Sequence, residues 1–246
     1  MFPIRDHNPS GRTPYVTIAL IAINILVFLG YFTTMSEGAL NAFLFHWGLV
    51  PARVASGAGY ETIVTSMFLH GGWMHLAGNM LFLWIFGDNL EDEMGHVWFL
   101  LFYLGAGVAA AALQAGADIN SGIPMVGASG AIAGVMGGYL LLYPKARVDV
   151  LFIFIIIFRI FPIPAWIVLG LWLGLQIFSG VSTPSDAGGV AYWAHVGGFA
   201  AGVILSLPVW LRRGAGAYWS ETGGAPPHPA AEYKISRSSI PRVPRR

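Results

Sequence analysis

The sequence predicts an all-α membrane protein: a bundle of six transmembrane helices with both ends of the chain on the cytoplasmic side. Three observations predict it. Of 246 residues, 56% are hydrophobic and only 10% charged, with a mean hydropathy of +0.65, whereas soluble domains carry roughly 25% charge. The apolar residues gather into six runs of membrane-spanning character, broken by stretches rich in Gly, Pro and charge. An N-in arrangement also leaves 12 of the 13 cations inside, namely Arg5, Arg12, Lys145, Arg147, Arg159, Arg212, Arg213, Lys234, Arg237, Arg242, Arg245 and Arg246, with Arg53 alone outside. The absence of cysteine excludes disulfides, thiolate nucleophiles and Cys-bound metal.

Residues 1–14 read as a short polar cytoplasmic lead, with no cleavable-signal pattern. The first span is Tyr15–Thr33, in which Asn24 is the one strongly polar side chain. A long connection, 34–66, follows, and Leu40–Leu49 with Phe43, Phe45 and Trp47 suggests a segment lying in the membrane interface. Thr65–Gly87 is the second span and carries His70, His75 and Asn79. Asp88 to His96 reads as a charged, solvated turn before the third span at Val97–Leu113. A polar loop, 114–126, precedes the fourth span, Gly127–Tyr143, which Pro144 and the cations Lys145 and Arg147 terminate. Val148–Phe158 is apolar but only 11 residues long, too short to cross, so it is expected in the interface or against the bundle. Pro164–Gly180 is the fifth span and Ala191–Leu211 the sixth. The membrane domain is therefore 15–211, and 212–246, rich in Gly, Pro, Ser and Arg, reads as a disordered cytoplasmic tail in which Arg212 and Arg213 anchor the orientation.

Polar side chains within spans are expensive and usually face a cavity or a partner. In this topology spans two, four and six all run from outside to inside, so His75, Ser129 and His195 share one depth near the outer surface. Asn79 lies one turn below His75 on the same face. On its own, Ser129 would be one more small residue in a packing ridge. Gly130, Gly134 and Gly138 on span four face a similar ridge, Gly198 and Gly202, on span six, and two such ridges permit close backbone approach with Ser129 and His195 at the top of the seam. A serine hydroxyl needs a neighbouring base to become nucleophilic, and histidine suits that task. Asn79, the His75 ring and the Ser129 backbone N–H could donate to the oxyanion of a tetrahedral intermediate. No carboxylate lies at the outer ends of these spans, so the pattern is a Ser-His dyad. A three-histidine metal site of His70, His75 and His195 fits poorly, because a five-residue spacing does not align on a helix.

Three motifs now stand in order on spans two, four and six: His75-Leu76-Ala77-Gly78-Asn79, Gly127-Ala128-Ser129-Gly130 and Ala194-His195-Val196-Gly197-Gly198. From Tyr15 to Leu211 the chain resembles the rhomboid intramembrane serine proteases. The resemblance implies a six-helix bundle with Ser129 as nucleophile, His195 as base, and His75 and Asn79 at the oxyanion. It also implies cleavage of membrane-protein substrates near the outer ends of their transmembrane segments, with no metal, cofactor or nucleic-acid partner. Lys145 to Arg147 and Pro164-Ala165-Trp166 look like bacterial members, which implies a bacterial inner membrane and a site opening to the non-cytoplasmic side. Glu91 resembles a structural acidic position of the family. Two departures stand out: Ala133 occupies the place of an aromatic that stacks on the histidine in many relatives, and Tyr60-Glu61 stands where some carry a Trp-Arg pair. The competing functions are an inactive relative that escorts membrane proteins, which would typically have lost the Ser or His, and a solute channel, which would favour internal repeats.

Overall fold

Apolar runs bounded by Pro, Gly and charge become helices over most of the computed structural model, which describes residues 2–154, 157–184 and 188–226. The long helices are α1 (Tyr15–Phe32), α5 (Trp73–Met94), α6 (His96–Ala117), α7 (Ser129–Leu142), α8 (Ala165–Ser182) and α9 (Tyr192–Arg212), with short α2 (Glu37–Trp47), α3 (Pro51–Ala55), α4 (Thr62–Thr65) and α10 (Gly216–Thr222) between and after them. Four of these, α1, α6, α8 and α9, are long and apolar enough to cross a membrane, and α7 is a shorter apolar helix. Large apolar side chains such as Leu26, Trp98, Phe178 and Ile204 stand exposed on those four helices, a surface suited to acyl chains. The protein is an integral membrane protein.

The tightest packing is glycine against backbone. A methyl group added at Gly198 would run into the Gly130 carbonyl, and one at Gly202 into the Gly134 carbonyl. Behind this α7–α9 seam, Ala106 and Ala110 of α6 fill the space left by Gly134 and Gly130. The core continues through Phe28, Leu83, Phe86, Phe99, Tyr103 and Tyr139, all fully buried.

The chain departs from an all-α bundle at one end. Residues 147–164 form a hairpin, β2 (Arg147–Phe154) against β3 (Ile157–Pro164), and β1 (Phe2–Asp6) pairs antiparallel on the other side of β2 to give the order β1-β2-β3. Val, Ile and Phe favour strands, and Pro162 and Pro164 prevent a helix. The expected polar lead is thus partly a strand, and the short apolar run is half of a hairpin. Val148 and Val150 sit in the core, while Asp149 is held by Arg5 Nε at 2.6 Å and the His7 ring at 2.8 Å. β3 runs directly into α8, whose first two N–H groups donate to the carbonyls of Ala146 and Pro144.

Two further expectations are corrected. Asp88 to Glu93 is not a solvated turn but the last two turns of α5. Glu91 is 1% exposed there and accepts from the Val16 and Thr17 N–H groups, the Thr17 hydroxyl and His96. Its carboxylate caps the free N–H groups of the first turn of α1. Nor is the segment after 212 unstructured throughout: α10 packs Tyr218 into the core, and Arg213, read as an orientation anchor, grips Glu93 through two bonds of 2.7 Å. Residues 227–246 of the expected tail lie outside the described residues.

Two outcomes follow from this packing. Gly202→Val places a branched side chain against the Gly134 carbonyl and should destabilise the bundle by about 1–3 kcal/mol; equilibrium unfolding in mixed micelles checks this, and an unchanged midpoint would contradict the seam. The second concerns Asp6, which accepts from the Tyr139 hydroxyl at 2.6 Å. Burial pushes its carboxyl from 3.8 up to about 7. The folded state therefore holds a proton that the unfolded chain releases near pH 4, so stability falls as pH rises from about 4 to about 7 and levels off above. In Asp6→Asn this dependence should disappear, and the variant's melting temperature should gain on the wild type between pH 5 and pH 8. Parallel curves would show that Asp6 titrates normally.

Candidate active site

Each long helix delivers its polar residue from an end. Ser129 is the first residue of α7, so its neighbouring N–H groups have no carbonyl one turn back to bond. His195 sits in the first turn of α9, and the Ala194 N–H beside it donates to Gln114 Oε1 of α6 at 3.0 Å. His75 is in the first turn of α5 and Asn79 one turn on. The turn leading into α5 is tied to α1, since the Tyr31 hydroxyl donates to the His70 carbonyl and accepts from the His70 N–H, both at 2.7 Å.

The segment before Ser129 is laced to the first connection. Leu49 and Met125 exchange two backbone hydrogen bonds, the Ala52 N–H donates to the Ser121 carbonyl, and the Gly127 N–H donates to the Ser66 carbonyl at 2.9 Å. Arg53 steadies that connection by donating to the carbonyls of Phe45 and Gly48 at the end of α2. Arg53 thus anchors the loop that lacks a Trp-Arg pair.

These helices enclose a cavity of about 590 Å³ lined by Ser129, His195, His75 and Asn79 together with Trp172 and Met74. All four site residues expected from the sequence line it. Ser129 Oγ and His195 Nε2 lie 2.8 Å apart, within the reach needed for proton transfer. On the other side of the ring, His195 Nδ1 is 2.7 Å from Gln176 Oε1. The Trp172 ring packs on the imidazole, centroids 5.5 Å apart at 35°. Both Trp172 and Gln176 come from α8, so the aromatic missing at Ala133 is replaced from a different helix. Ala133 itself is fully buried in the core.

Donors surround the other side of the serine. Asn79 is buried, and its amide nitrogen has no hydrogen-bond partner among the described residues. The Gly71 N–H approaches His75 Nδ1 at 3.4 Å, so a neutral ring carries its proton on Nε2. That nitrogen faces Gly127. Gly127 has φ +129°, and a Cβ there would lie 2.7 Å from His75 Nε2 and 3.6 Å from Ser129 Oγ. Glycine is needed at this position both for the backbone and for the open space beside the hydroxyl. His70 packs edge-on against His75 with centroids 5.0 Å apart. Among the described residues, no group of three or more histidines or carboxylates comes together as metal ligands.

Sequence reasoning missed Gln176, Trp172 and Gln114. Gln176 left one trace, as the sole amide in the apolar run 165–182. Gln114 left the same trace, as the sole amide of α6; Trp172 left none.

The model of the Rhomboid domain matches residues 57–212, more than half of the chain. The chain belongs to the rhomboid family. It is 32% identical to Rhomboid protease GluP of Bacillus subtilis over 196 residues, covering 79% of this chain and 36% of that protein. It is also 32% identical to RHOMBOID-like protein 4 of Arabidopsis thaliana over 189 residues, covering 74% of this chain and 42% of that one. Rhomboid protein 1, mitochondrial, of Saccharomyces cerevisiae matches at 32% over 149 residues, 58% of this chain and 40% of its own length. The chain spans about two fifths of the length of these relatives. The family includes serine proteases as well as inactive rhomboid-like proteins.

In this rhomboid chain Gly127→Ala tests the crowded corner. A side chain there meets His75 Nε2 and is strained by the positive φ, so labelling of Ser129 by a fluorophosphonate should slow by at least about tenfold, the equivalent of about 1.4 kcal/mol in barrier. Labelling at the wild-type rate would mean the backbone relaxes freely.

Proposed function

We propose that the protein is an intramembrane serine endopeptidase that cleaves the transmembrane segments of membrane-protein substrates near their outer ends. The observation that carries this reading is the 2.8 Å contact between Ser129 Oγ and His195 Nε2 inside a cavity bordered by the Asn79 amide, which has no partner among the described residues. Membership of a family with proteases in it, and the likeness to Rhomboid protease GluP, support it.

In the proposed reaction His195 Nε2 takes the Ser129 proton as Oγ attacks the scissile carbonyl carbon. The negative charge gathers on the former carbonyl oxygen, within reach of the Asn79 amide, His75 Nε2–H and the Ser129 backbone N–H. Collapse breaks the C–N bond, and His195 gives its proton to the departing amine. Water then attacks the acyl-enzyme with His195 again as base, releasing the new carboxyl end and restoring the serine. Water must reach this depth from outside, and the cavity is the route.

The finer topology belongs to the same proposal. α5 and α7 join the four apolar helices as spans, both ends of the chain are cytoplasmic, and the site opens to the non-cytoplasmic side. The membrane domain is 15–211, flanked by the 1–14 lead and the 212–246 tail. The cation distribution supports this orientation. A bacterial inner membrane is the proposed location, with the Bacillus relative in its favour.

Purified protein in liposomes with a single-span substrate provides the test. Cleavage should persist in chelator and be lost in Ser129→Ala and in His195→Ala, while Asn79→Ala should lower kcat by about 10²–10³-fold. Undiminished cleavage by Ser129→Ala would overturn the proposal.

A further inference from the structure

We infer that Gln176 is a positioning residue that completes the Ser129–His195 pair by fixing which nitrogen of His195 carries the proton. This rests on the protease reading above. A neutral imidazole has one donor and one acceptor nitrogen. An amide oxygen can only accept, so Gln176 Oε1 at 2.7 Å from Nδ1 requires the proton there. Nε2, 2.8 Å from Ser129 Oγ, is then the free acceptor, as a base must be. In the opposite tautomer Nε2 would already hold a proton and could not take the one from serine.

Three features distinguish this from a bond that merely joins helices. Gln176 is the sole amide or charged side chain on α8, an otherwise apolar helix that buries only Ala165 and Leu169, and a polar group on such a helix is expensive unless it has work to do. Trp172 lies one turn before Gln176, so one face of α8 presents both residues to His195, the indole holding the ring plane and the amide the ring proton. Finally, among the described residues no Asp, Glu, Lys or Arg lines the cavity, and His75 is the titratable group facing His195 across it. A buried carboxylate would need charge compensation at this depth; a neutral amide accepts the same bond without it.

The experiment uses the full chain in detergent, with the rate of Ser129 labelling by an alkyl fluorophosphonate as one readout. In that reaction Oγ bonds to phosphorus, fluoride leaves and His195 receives the proton. The second readout is the tautomer of His195 from its imidazole ¹⁵N shifts, identified by the signals lost in His195→Ala. In wild type the proton should sit on Nδ1. Gln176→Met keeps the bulk but removes the acceptor, and should slow labelling about 10- to 100-fold, the loss of one hydrogen bond to a group that becomes charged, while His195 loses its single tautomer. Gln176→Glu should label faster than Gln176→Met and should move the acid limb of the pH–rate curve to higher pH, because a carboxylate favours the imidazolium. Wild-type labelling by Gln176→Met, or a wild-type His195 with its proton on Nε2, would overturn the inference. Label retained by Ser129→Ala would instead sink the protease reading, and the ¹⁵N spectra would still decide the role of Gln176.

Discussion

The contact of α7 and α9 along bare glycine backbone is the constraint on which the rest of the molecule depends. Lipid tails are as apolar as leucine, so the hydrophobic effect does little to drive helices together within a bilayer; close van der Waals packing must do it. Here Gly198 and Gly202 lie against the carbonyls of Gly130 and Gly134, with no room for a single methyl group. Such a contact has one register. It carries Ser129 and His195, each in the first turn of its helix, to 2.8 Å of one another. The flanking helices add to a pair whose spacing is already settled: α5 brings His75 and Asn79 from one side and α8 brings Trp172 and Gln176 from the other.

Polar groups tie the helices together at both ends of the bundle. At the end bearing the sheet, side-chain bonds reach across long stretches of chain. Glu91 satisfies the start of α1, Asp6 receives the Tyr139 hydroxyl, and Arg213 closes on Glu93. At the cavity end the Asn79 amide nitrogen has no partner among the described residues, and the Ala194 N–H in the first turn of α9 is taken by Gln114.

Ser129, His75 and His195 could be placed at one depth from sequence because membrane topology turns position along the chain into position across the bilayer. The glycine ridges could be read because helical spacing is regular. Asp88 to Glu93 misled, since a run of acids next to Gly95 looks solvated, and only the tertiary partners Val16, Thr17 and Arg213 reveal why charge is tolerated inside a helix. The strands escaped notice because β1 is five residues long and its partner begins 141 residues after Asp6, beyond any local pattern. The roles of Gln176 and Trp172 were hidden too. Their meaning depends on which way α8 is turned, and an apolar helix exposed to lipid carries no periodic signal to say so.

The pairing of β1 with β2 has a consequence for how the molecule comes to be assembled. Phe2 bonds across to the strand that holds Leu151, so a strand near the start of the described chain has no partner until α1, α5, α6 and α7 have all been synthesised. During that interval Arg5 and His7 lack Asp149, and Asp6 lacks Tyr139. Closing so long a loop is slow compared with forming local helix contacts. This strand, made before all of those helices, is therefore among the last elements to dock, and its docking clips together a bundle whose helices have already met.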